Sequence, residues 1–240
     1  MNRFAFIIPM RNAHATIRQT LRSLIAQTHP SWRAIVIDDA STQDSFDASK
    51  RAILDANAFI GDDRIMLLRN DVRMWEVANV ITGIKMCSGD EIACRLDADD
   101  WLTDTDALSI INACYDSSRC DALWTMHRWN FTPTNISGPM PDDADPYVHP
   151  WVSSHLKTWR AAVSHHVNPA NYIADDGQPF KRAGDQAIFL PVLKLAKRRA
   201  FLPIVTYHYS IDMSPSTFAS EDARFQRSEA ELIRKRGFIA

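Results

Sequence analysis

The chain has 240 residues, of which 46% are hydrophobic and 23% charged, and its formal net charge is -2. This length allows one large core, or one core with a small additional lobe. The near-neutral charge excludes a protein-wide attraction to nucleic acid or anionic membranes, so a nucleic-acid partner is disfavoured although local basic clusters leave it open. The cysteines lack the two-residue spacing of a zinc knuckle or redox pair, and we expect buried free thiols.

Neither a membrane span nor a targeting segment is evident in the sequence. No apolar run approaches the ~20 residues needed to cross a bilayer. The amino terminus enters a strand-like run at residue 4 and lacks the layout of a signal peptide. We therefore expect a cytoplasmic protein without integral membrane contact.

The first half alternates short apolar runs with amphipathic segments. The apolar runs predict strands at 4–9, 33–37, 64–68 and 91–96. Segments with helical spacing predict helices at 15–27, 45–59, 75–86 and 104–115. This alternation is typical of an α/β fold with a mostly parallel sheet flanked by helices. In such sheets ligands bind beyond the carboxyl ends of the strands.

The second half is less regular. Residues 131–150 contain five prolines, a glycine and several aspartates, which predicts a long loop. Because this composition leaves little apolar area to hold the segment down, we expect a lid that orders on ligand binding. The remaining pattern predicts helices at 153–163, from about 185 and at 221–236, and a strand at 201–207.

Three carboxylates lie within four residues at 97–100, between a predicted strand and a predicted helix. A bound cation would relieve their mutual repulsion, and carboxylate oxygens suit Mg²⁺ or Mn²⁺, which keep positions open for substrate phosphates. The alternative is a solvated helix amino terminus, where acids are favourable. An EF-hand loop is excluded because its sixth and twelfth positions would be Leu102 and Leu108.

A second acidic pair, Asp38 and Asp39, follows the second predicted strand. An ionised aspartate only accepts hydrogen bonds, so it can read a ring N–H or a ribose hydroxyl. The alternative is a turn-forming pair followed by Ser41 as a helix cap. No two glycines form a G-x-G, which excludes a dinucleotide fingerprint and a P-loop. Phosphate must then be held by a metal and side chains.

Four segments, at 4–12, 23–28, 35–42 and 89–100, resemble in order the motifs of family 2 of the GT-A glycosyltransferases. They are similar to its opening strand, its Ser-Leu-x-x-Gln-Thr helix end, its Val-Asp-Asp-Gly-Ser-Thr motif and its Leu-Asp-x-Asp-Asp segment, which contains the DXD motif. Ala40 stands where the third motif usually has Gly. The resemblance implies a GT-A-like, Rossmann-type sheet with a small C-terminal acceptor lobe. It also implies one domain, 1–240, with a nucleotide-sugar-binding half at 1–120 and an acceptor-binding half at 121–240.

The resemblance implies a nucleotide-sugar site and a metal site. The implied nucleotide-sugar ligands are Pro9, Arg11, Asn12, Asp38, Asp39, Arg73, Asp97 and Ala98. Asp39 would accept from the uracil N–H, and Arg73 would replace the arginine of the family's Ala-Arg-Asn motif, where this chain has Ala78. The implied ligands of Mn²⁺ or Mg²⁺ are Asp97, Asp99 and His208.

The catalytic base and the acceptor walls come from the second half. Asp185, in Gly184-Asp185-Gln186, resembles the acid that the family carries as a base at a helix start. A helix cap is the alternative for this position, and Asp175 and Asp176 are the other candidate bases. Aromatic rings stack on sugar faces, so the expected acceptor walls are Trp151 and Trp159.

These features predict a metal-dependent enzyme that moves a hexose from a UDP-sugar to an acceptor hydroxyl with inversion. The acceptor, whether glycan, lipid, protein or modified nucleobase, and the oligomeric state stay open. One alternative is a non-catalytic carbohydrate-binding or interaction module on a GT-A scaffold. The other is a sugar-phosphate nucleotidyltransferase, which needs a glycine-rich loop after the first strand, where residues 10–13 contain no glycine.

Overall fold

The computed structural model describes residues 1–130, 132–211 and 214–240. Within these residues one sheet contains eight strands, in the order β3-β2-β1-β4-β7-β6-β8-β5. The strands are β1 (Phe4–Met10), β2 (Trp32–Asp38), β3 (Ile65–Arg69), β4 (Ile92–Arg95), β5 (Trp101–Leu102), β6 (Ala122–Trp129), β7 (Lys157–Arg160) and β8 (Arg199–Tyr209).

Helices cover both faces of this sheet. They are α1 (Ile17–Ile25), α2 (Gln43–Ile60), α3 (Trp75–Met86), α4 (Ala107–Ser118), α5 (Ala161–His165), α6 (Gly184–Leu195), α7 (Pro215–Ala219) and α8 (Glu221–Arg236), with a 3-10 turn at Pro169–Tyr172. Residues of α1, α2 and α4 contribute to the hydrophobic core on one face. Residues of α3, α5, α6 and α8 contribute to the core on the other.

Strand β1 illustrates why its sequence is continuously apolar. Phe4, Phe6 and Ile8 belong to the first core, whereas Ala5 and Ile7 belong to the second. Successive side chains of a strand point to opposite faces, so a strand covered by helices on both faces needs apolar residues at every position.

Parallel pairing dominates the first half of the sheet. Strand β1 lies between β2 and β4 and is parallel to both, and β3 is parallel to β2. The carboxyl ends of these four strands therefore meet at one edge. The second half extends the same sheet, because β7 pairs antiparallel with both β4 and β6. The predicted α/β class, with a mostly parallel sheet flanked by helices, is confirmed.

The second half also contains the main error of the secondary-structure prediction. A helix was expected at 153–163, but residues 157–160 form strand β7, and only the following residues form the short helix α5. Tertiary pairing decides this segment, because β7 bonds to a neighbour on each side. Strands β5 and β6 were not predicted at all.

The proline-rich segment is a loop, as its composition predicts; residue 131 lies outside the described residues. Its described part is fastened to the protein. Met140 and Tyr147 are buried in the second core. Arg199 donates to the Ala144 carbonyl over 3.0 Å, and Arg234 donates to the His149 carbonyl over 2.8 Å. The expectation that this segment has little apolar area to hold it down is therefore wrong.

Two further sequence features can be placed. All four cysteines are free thiols, and three of them are buried. Among the described residues, no helix combines the length and apolar character required for a membrane crossing.

Candidate active site

A cavity of about 710 Å³ opens at the carboxyl ends of β1, β2 and β4. Its walls come from the segments after these strands, from the first turns of α3 and α6, and from α7 and α8. The predicted site residues that line it are Pro9, Arg11, Asn12, Asp39, Arg73, Asp97, Ala98, Asp99 and Asp185. Residues far apart in the sequence thus meet at the edge where ligands of α/β sheets bind.

Asp38 does not line the cavity, contrary to expectation. Its side chain is fully buried and accepts hydrogen bonds from the Ser41 backbone N–H, over 3.2 Å, and from the Ser41 hydroxyl. The turn interpretation therefore applies to Asp38. Ala40, between Asp38 and Ser41, has a φ of 55°, which lies in the left-handed region that favours glycine. This backbone conformation explains why the resembled motif usually has Gly at this position.

Asp39 lies on the cavity wall, at the amino end of α3. Its Oδ1 accepts from the Met74 N–H over 2.7 Å, and its Oδ2 accepts from the Trp75 N–H over 2.9 Å. The Asn70 amide donates to Oδ1 over 3.1 Å. These bonds fix the carboxylate in one orientation beside the cavity.

The acidic segment 97–100 divides into two parts. The buried Asp100 accepts from the Tyr207 hydroxyl over 2.6 Å and from the Ser210 N–H over 2.7 Å, and so holds the end of β8. Asp97 and Asp99 open into the cavity instead. Desolvation within the cavity wall, with repulsion from Asp97, raises the pKa of Asp99 to about 6.

Asp97 and Asp99 fit a hard divalent cation by the chemistry of their donors. Both offer carboxylate oxygens, and a cation would remove the repulsion that raises the pKa of Asp99. Two protein carboxylates suit Mg²⁺ or Mn²⁺ when substrate phosphates supply further oxygens. The residues that the structure describes contain no group of three His, Cys, Asp or Glu side chains placed to hold a metal.

His208 was expected as the third metal ligand, and the structure places it elsewhere. It is buried in β8, and its ring stacks on Trp101 of β5 with the centroids 3.7 Å apart. Trp101 is its direct partner in the strand register, and His208 does not line the cavity. His208 therefore serves the packing between β5 and β8 and does not reach the cavity.

Arg95 is a central residue of the site that the sequence reasoning missed. It is 5% exposed, lines the cavity and contacts the carboxylates of Glu76, Asp97 and Asp185. Its Nη2 lies 2.9 Å from Asp97 Oδ1. Burial, outweighing the attraction of Arg95, raises the pKa of Glu76 to about 7. The sequence signal was an arginine at the end of an otherwise apolar strand.

Asp185 stands in the first turn of α6 and faces the cavity. Lys157 Nζ lies 2.5 Å from its Oδ1. Burial alone would raise the pKa of Asp185, but Lys157 and Arg95 outweigh burial and hold this pKa well below its ordinary value. A Cβ at the preceding Gly184 would collide with the Glu76 carboxylate, so this helix start requires a glycine or a displaced Glu76.

The expected acceptor walls, Trp151 and Trp159, do not line the cavity. Trp159 is fully buried against Phe189, with ring centroids 5.9 Å apart. Trp151 is half-buried and packs on the second core. Both side chains therefore belong to the hydrophobic packing.

Trp75 and Tyr209 are aromatic residues that do line the cavity. Trp75 also carries two cations. The Cζ of Arg73 lies 3.3 Å from its ring centroid, and the Cζ of Arg182 lies 4.6 Å from it. Arg73 Nε also lies 4.0 Å from Asp39 Oδ2. Two guanidinium groups are thus held on one aromatic ring beside Asp39, an arrangement that favours anionic ligands.

The fold is shared with solved structures, of which two illustrate the similarity. TarS residues 1–349 from S. aureus, in complex with UDP-GlcNAc, matches with a TM-score of 0.73 at 17% identity, over 99% of this chain and 68% of that one. Mannosyltransferase PcManGT from Pyrobaculum calidifontis, in complex with GDP-Man and Mn²⁺, matches with a TM-score of 0.64 at 16% identity, over 97% of this chain and 62% of that one.

Sequence comparison identifies the family. The E. coli protein UDP-Glc:alpha-D-GlcNAc-diphosphoundecaprenol beta-1,3-glucosyltransferase WfgD is 34% identical over 99 residues, which are 41% of this chain and 36% of that protein. The chain thus matches about a third of the length of this curated relative. Residues 5–134, more than half of the chain, match the model of Glycosyl transferase family 2. The chain therefore belongs to glycosyl transferase family 2.

Proposed function

We propose that this chain is a metal-dependent glycosyltransferase that moves a hexose from a UDP-sugar to an acceptor hydroxyl with inversion. The observation that carries the proposal is the meeting of Asp39, the Asp97–Asp99 pair and Asp185 around one cavity. Each has a chemistry that such a transfer needs: base recognition, diphosphate binding and proton abstraction. The UDP-glucose in the name of the E. coli relative and the UDP-GlcNAc in the TarS complex support a UDP-sugar donor.

The uridine part of the donor is assigned to the wall between β1 and α3. Pro9 and Arg11 would border the base and ribose, and Asp39 would accept from the uracil N–H. Its bonds to the backbone of Met74 and Trp75 support this role, because they hold the acceptor oxygens still before the ligand arrives.

The diphosphate is assigned to Asp97 and Asp99 through Mn²⁺ or Mg²⁺. When bound, such a cation neutralises the negative charge that builds on the leaving diphosphate. The raised pKa of Asp99 supports this assignment, and so does the Mn²⁺ in the PcManGT complex. Arg73 lines the same cavity and would add a second positive charge to the donor site.

Asp185 is assigned as the general base. The acceptor oxygen would attack the anomeric carbon while the bond from that carbon to the diphosphate breaks, through an oxocarbenium-like state. The proton of the acceptor hydroxyl would pass to Asp185, which the neighbouring cations keep ionised at neutral pH. One displacement of this kind inverts the anomeric centre.

The acceptor is assigned to the second half of a single domain, residues 121–240. This half supplies Lys181, Arg182, Tyr209 and Asp222 to the cavity. The name of the E. coli relative, which specifies a diphosphoundecaprenol-linked sugar, supports a lipid-linked glycan among the possible acceptors.

A thermal-shift screen of nucleoside diphosphates and nucleotide sugars, with Mn²⁺, Mg²⁺ or EDTA, tests the proposal. We expect UDP and UDP-hexoses to raise the melting temperature only when a divalent metal is present. A nucleotide effect that is equal in EDTA would refute the metal-dependent donor site.

A further inference from the structure

Two buried cations stand directly opposite each other in the sheet. Arg95 ends β4, Lys157 begins β7, and the two residues are partners in the antiparallel register. Their side chains are 5% and 1% exposed. Like charges directly opposite on neighbouring strands destabilise a sheet, and burial adds a desolvation cost. A counter-charge between them is therefore required.

Asp185 supplies this counter-charge through one oxygen atom. Its Oδ1 contacts both Arg95 Nη1 and Lys157 Nζ. Its Oδ2 accepts no hydrogen bond from the described residues. His155 Nε2 lies 3.8 Å from this oxygen. The two oxygens of one carboxylate are thus differently engaged.

Lys157 acts on this carboxylate from the protein interior. Asp185 lines the cavity, whereas Lys157 does not. Its Nζ also lies 3.2 Å from His155 Nδ1, so the ammonium group has a polar neighbour on each side. A group with this placement can orient Asp185 but cannot touch a ligand in the cavity.

We propose that Lys157 is a positioning residue which, together with Arg95, holds Asp185 Oδ1 and leaves Oδ2 as the atom that accepts the proton of the acceptor hydroxyl. The inference rests on the proposed role of Asp185 as the base. In the reaction the acceptor O–H bond breaks, its proton binds to Oδ2, and its oxygen bonds to the anomeric carbon. The electron pair of the broken anomeric bond leaves with the diphosphate, while Lys157 stays protonated and bound to Oδ1.

Loss of the ammonium group should affect turnover and not donor binding. In Lys157→Met only Arg95 still contacts Oδ1, so the carboxylate can rotate more freely about its last bond and Oδ2 is less firmly fixed in one direction. We expect kcat to fall about 10- to 100-fold, as for a displaced catalytic group, with the KM for the UDP-sugar unchanged. The matched control is Arg33→Met, which breaks a buried ion pair outside the cavity and should keep kcat.

The decisive experiment is a double-mutant cycle on kcat with Lys157→Met, Asp185→Asn and the double variant, measured as UDP release from UDP-glucose. If Lys157 acts through Asp185, Lys157→Met has no further effect in the Asp185→Asn background. Fully multiplicative losses, or wild-type kcat in Lys157→Met, would overturn the positioning role. Wild-type kcat in Asp185→Asn would instead overturn the base assignment on which it rests.

Circular dichroism and UDP binding establish that each variant is folded. If Lys157→Met does not fold, Lys157→Gln replaces it in the same cycle, because its amide still donates a hydrogen bond without carrying charge. The expected result is then a smaller loss of kcat that again disappears in the Asp185→Asn background. Failure of both Lys157 variants to fold would make the lysine a structural residue and overturn the proposal.

Discussion

The two ends of strand β4 carry buried charges in opposite arrangements. At the amino end, the Glu91 side chain is fully buried, and its Oε1 lies 2.7 Å from Arg33 Nε and 3.1 Å from Arg3 Nε. Its Oε2 accepts a hydrogen bond from the Ser88 N–H over 2.8 Å. At the carboxyl end, four residues along the strand, the single guanidinium of Arg95 meets three carboxylates. One end surrounds an acid with donors, and the other surrounds a cation with acids.

The pKa values of the acids follow this difference. Burial alone would raise the pKa of Glu91, but the hydrogen bonds from Arg33 and Ser88, with the charges of Arg33 and Arg3, together outweigh burial and lower this pKa. At the other end desolvation dominates for two acids, and the pKa values of Glu76 and Asp99 rise to about 7 and about 6. Asp185 is the exception, because Lys157 and Arg95 hold its pKa below the ordinary value. The Glu91 cluster neutralises its buried carboxylate and so stabilises the fold. The Arg95 cluster has more carboxylates than cations, and this excess negative charge favours a cationic or proton-donating ligand.

The largest expected effect comes from removing the proposed general base, Asp185. Asp185→Asn keeps the size of the side chain but cannot accept a proton. We expect kcat for UDP release from UDP-glucose to fall by about 10²- to 10⁴-fold with UDP binding nearly unchanged, and the melting temperature to fall as well, because the buried Arg95 and Lys157 lose their counter-charge. The control is Asp175→Asn in the exposed loop before α6, which should retain wild-type kcat. Near-wild-type turnover in Asp185→Asn would leave Asp185 only as the counter-charge of Arg95 and Lys157.

The amino end of β4 should show the converse behaviour. Arg33→Met leaves the buried Glu91 with only the exposed Arg3 as a cation. We expect the free energy of unfolding to fall by about 3 kcal/mol, the lower end for a broken buried pair, with kcat unchanged. Arg18→Met, which breaks an exposed pair with Asp55, is the control and should cost less than about 1 kcal/mol.

The loss of stability in Arg33→Met should depend on pH. Because Arg33 lowers the pKa of Glu91, the stabilisation is present above the ordinary glutamate pKa of about 4.3 and is lost as the pH falls through the lower, folded-state value. The difference in unfolding free energy between wild type and Arg33→Met should therefore narrow in acid. A difference that stays constant down to acidic pH would show that Arg33 stabilises by packing and not by charge.

The smallest expected effect concerns the choice of nucleobase in the donor. Asp39 offers only acceptor oxygens to the cavity, which suits the N3–H of uracil; guanine is the serious competitor because it also has a ring N–H. We expect UDP to bind at least about 10-fold more tightly than GDP or ADP, or about 1.4 kcal/mol, by calorimetry with Mn²⁺ present. Preference for GDP would contradict the uracil assignment while leaving the charge comparison intact.

Elements with strong local patterns could be predicted from the sequence. Helices α3 and α8 have the predicted bounds, 75–86 and 221–236. The parallel strands of the first half were visible because burial on both faces requires uninterrupted apolar runs. Strand β7 was missed because its sequence, Lys-Thr-Trp-Arg, has no such run and its state depends on pairing with β4 and β6.

The site was predictable where a motif carries it and not where tertiary contacts do. Asp38 and Asp39 are adjacent, yet one closes a turn and the other faces the cavity, which no spacing argument separates. In the sequence Arg95 is an isolated charge at the end of an apolar run, and Lys157 stands in a segment of mixed polar and apolar residues. Their partners are brought to them only by the sheet register and by α6, so their role could not be read before the fold was known.

The most direct test of this account is a calorimetric titration of UDP, with Mn²⁺ or EDTA, on matched acid variants from the two ends of β4. Asp99→Asn and Asp90→Asn each remove one carboxylate, the first at the cavity and the second just before the strand. The account predicts that Asp99→Asn, like EDTA, weakens UDP binding about 100-fold, or about 2.7 kcal/mol, and that Asp90→Asn has no effect. Equal UDP affinity in wild type, in Asp99→Asn and in EDTA would contradict the claim that the carboxyl end of β4 is a metal-dependent donor site.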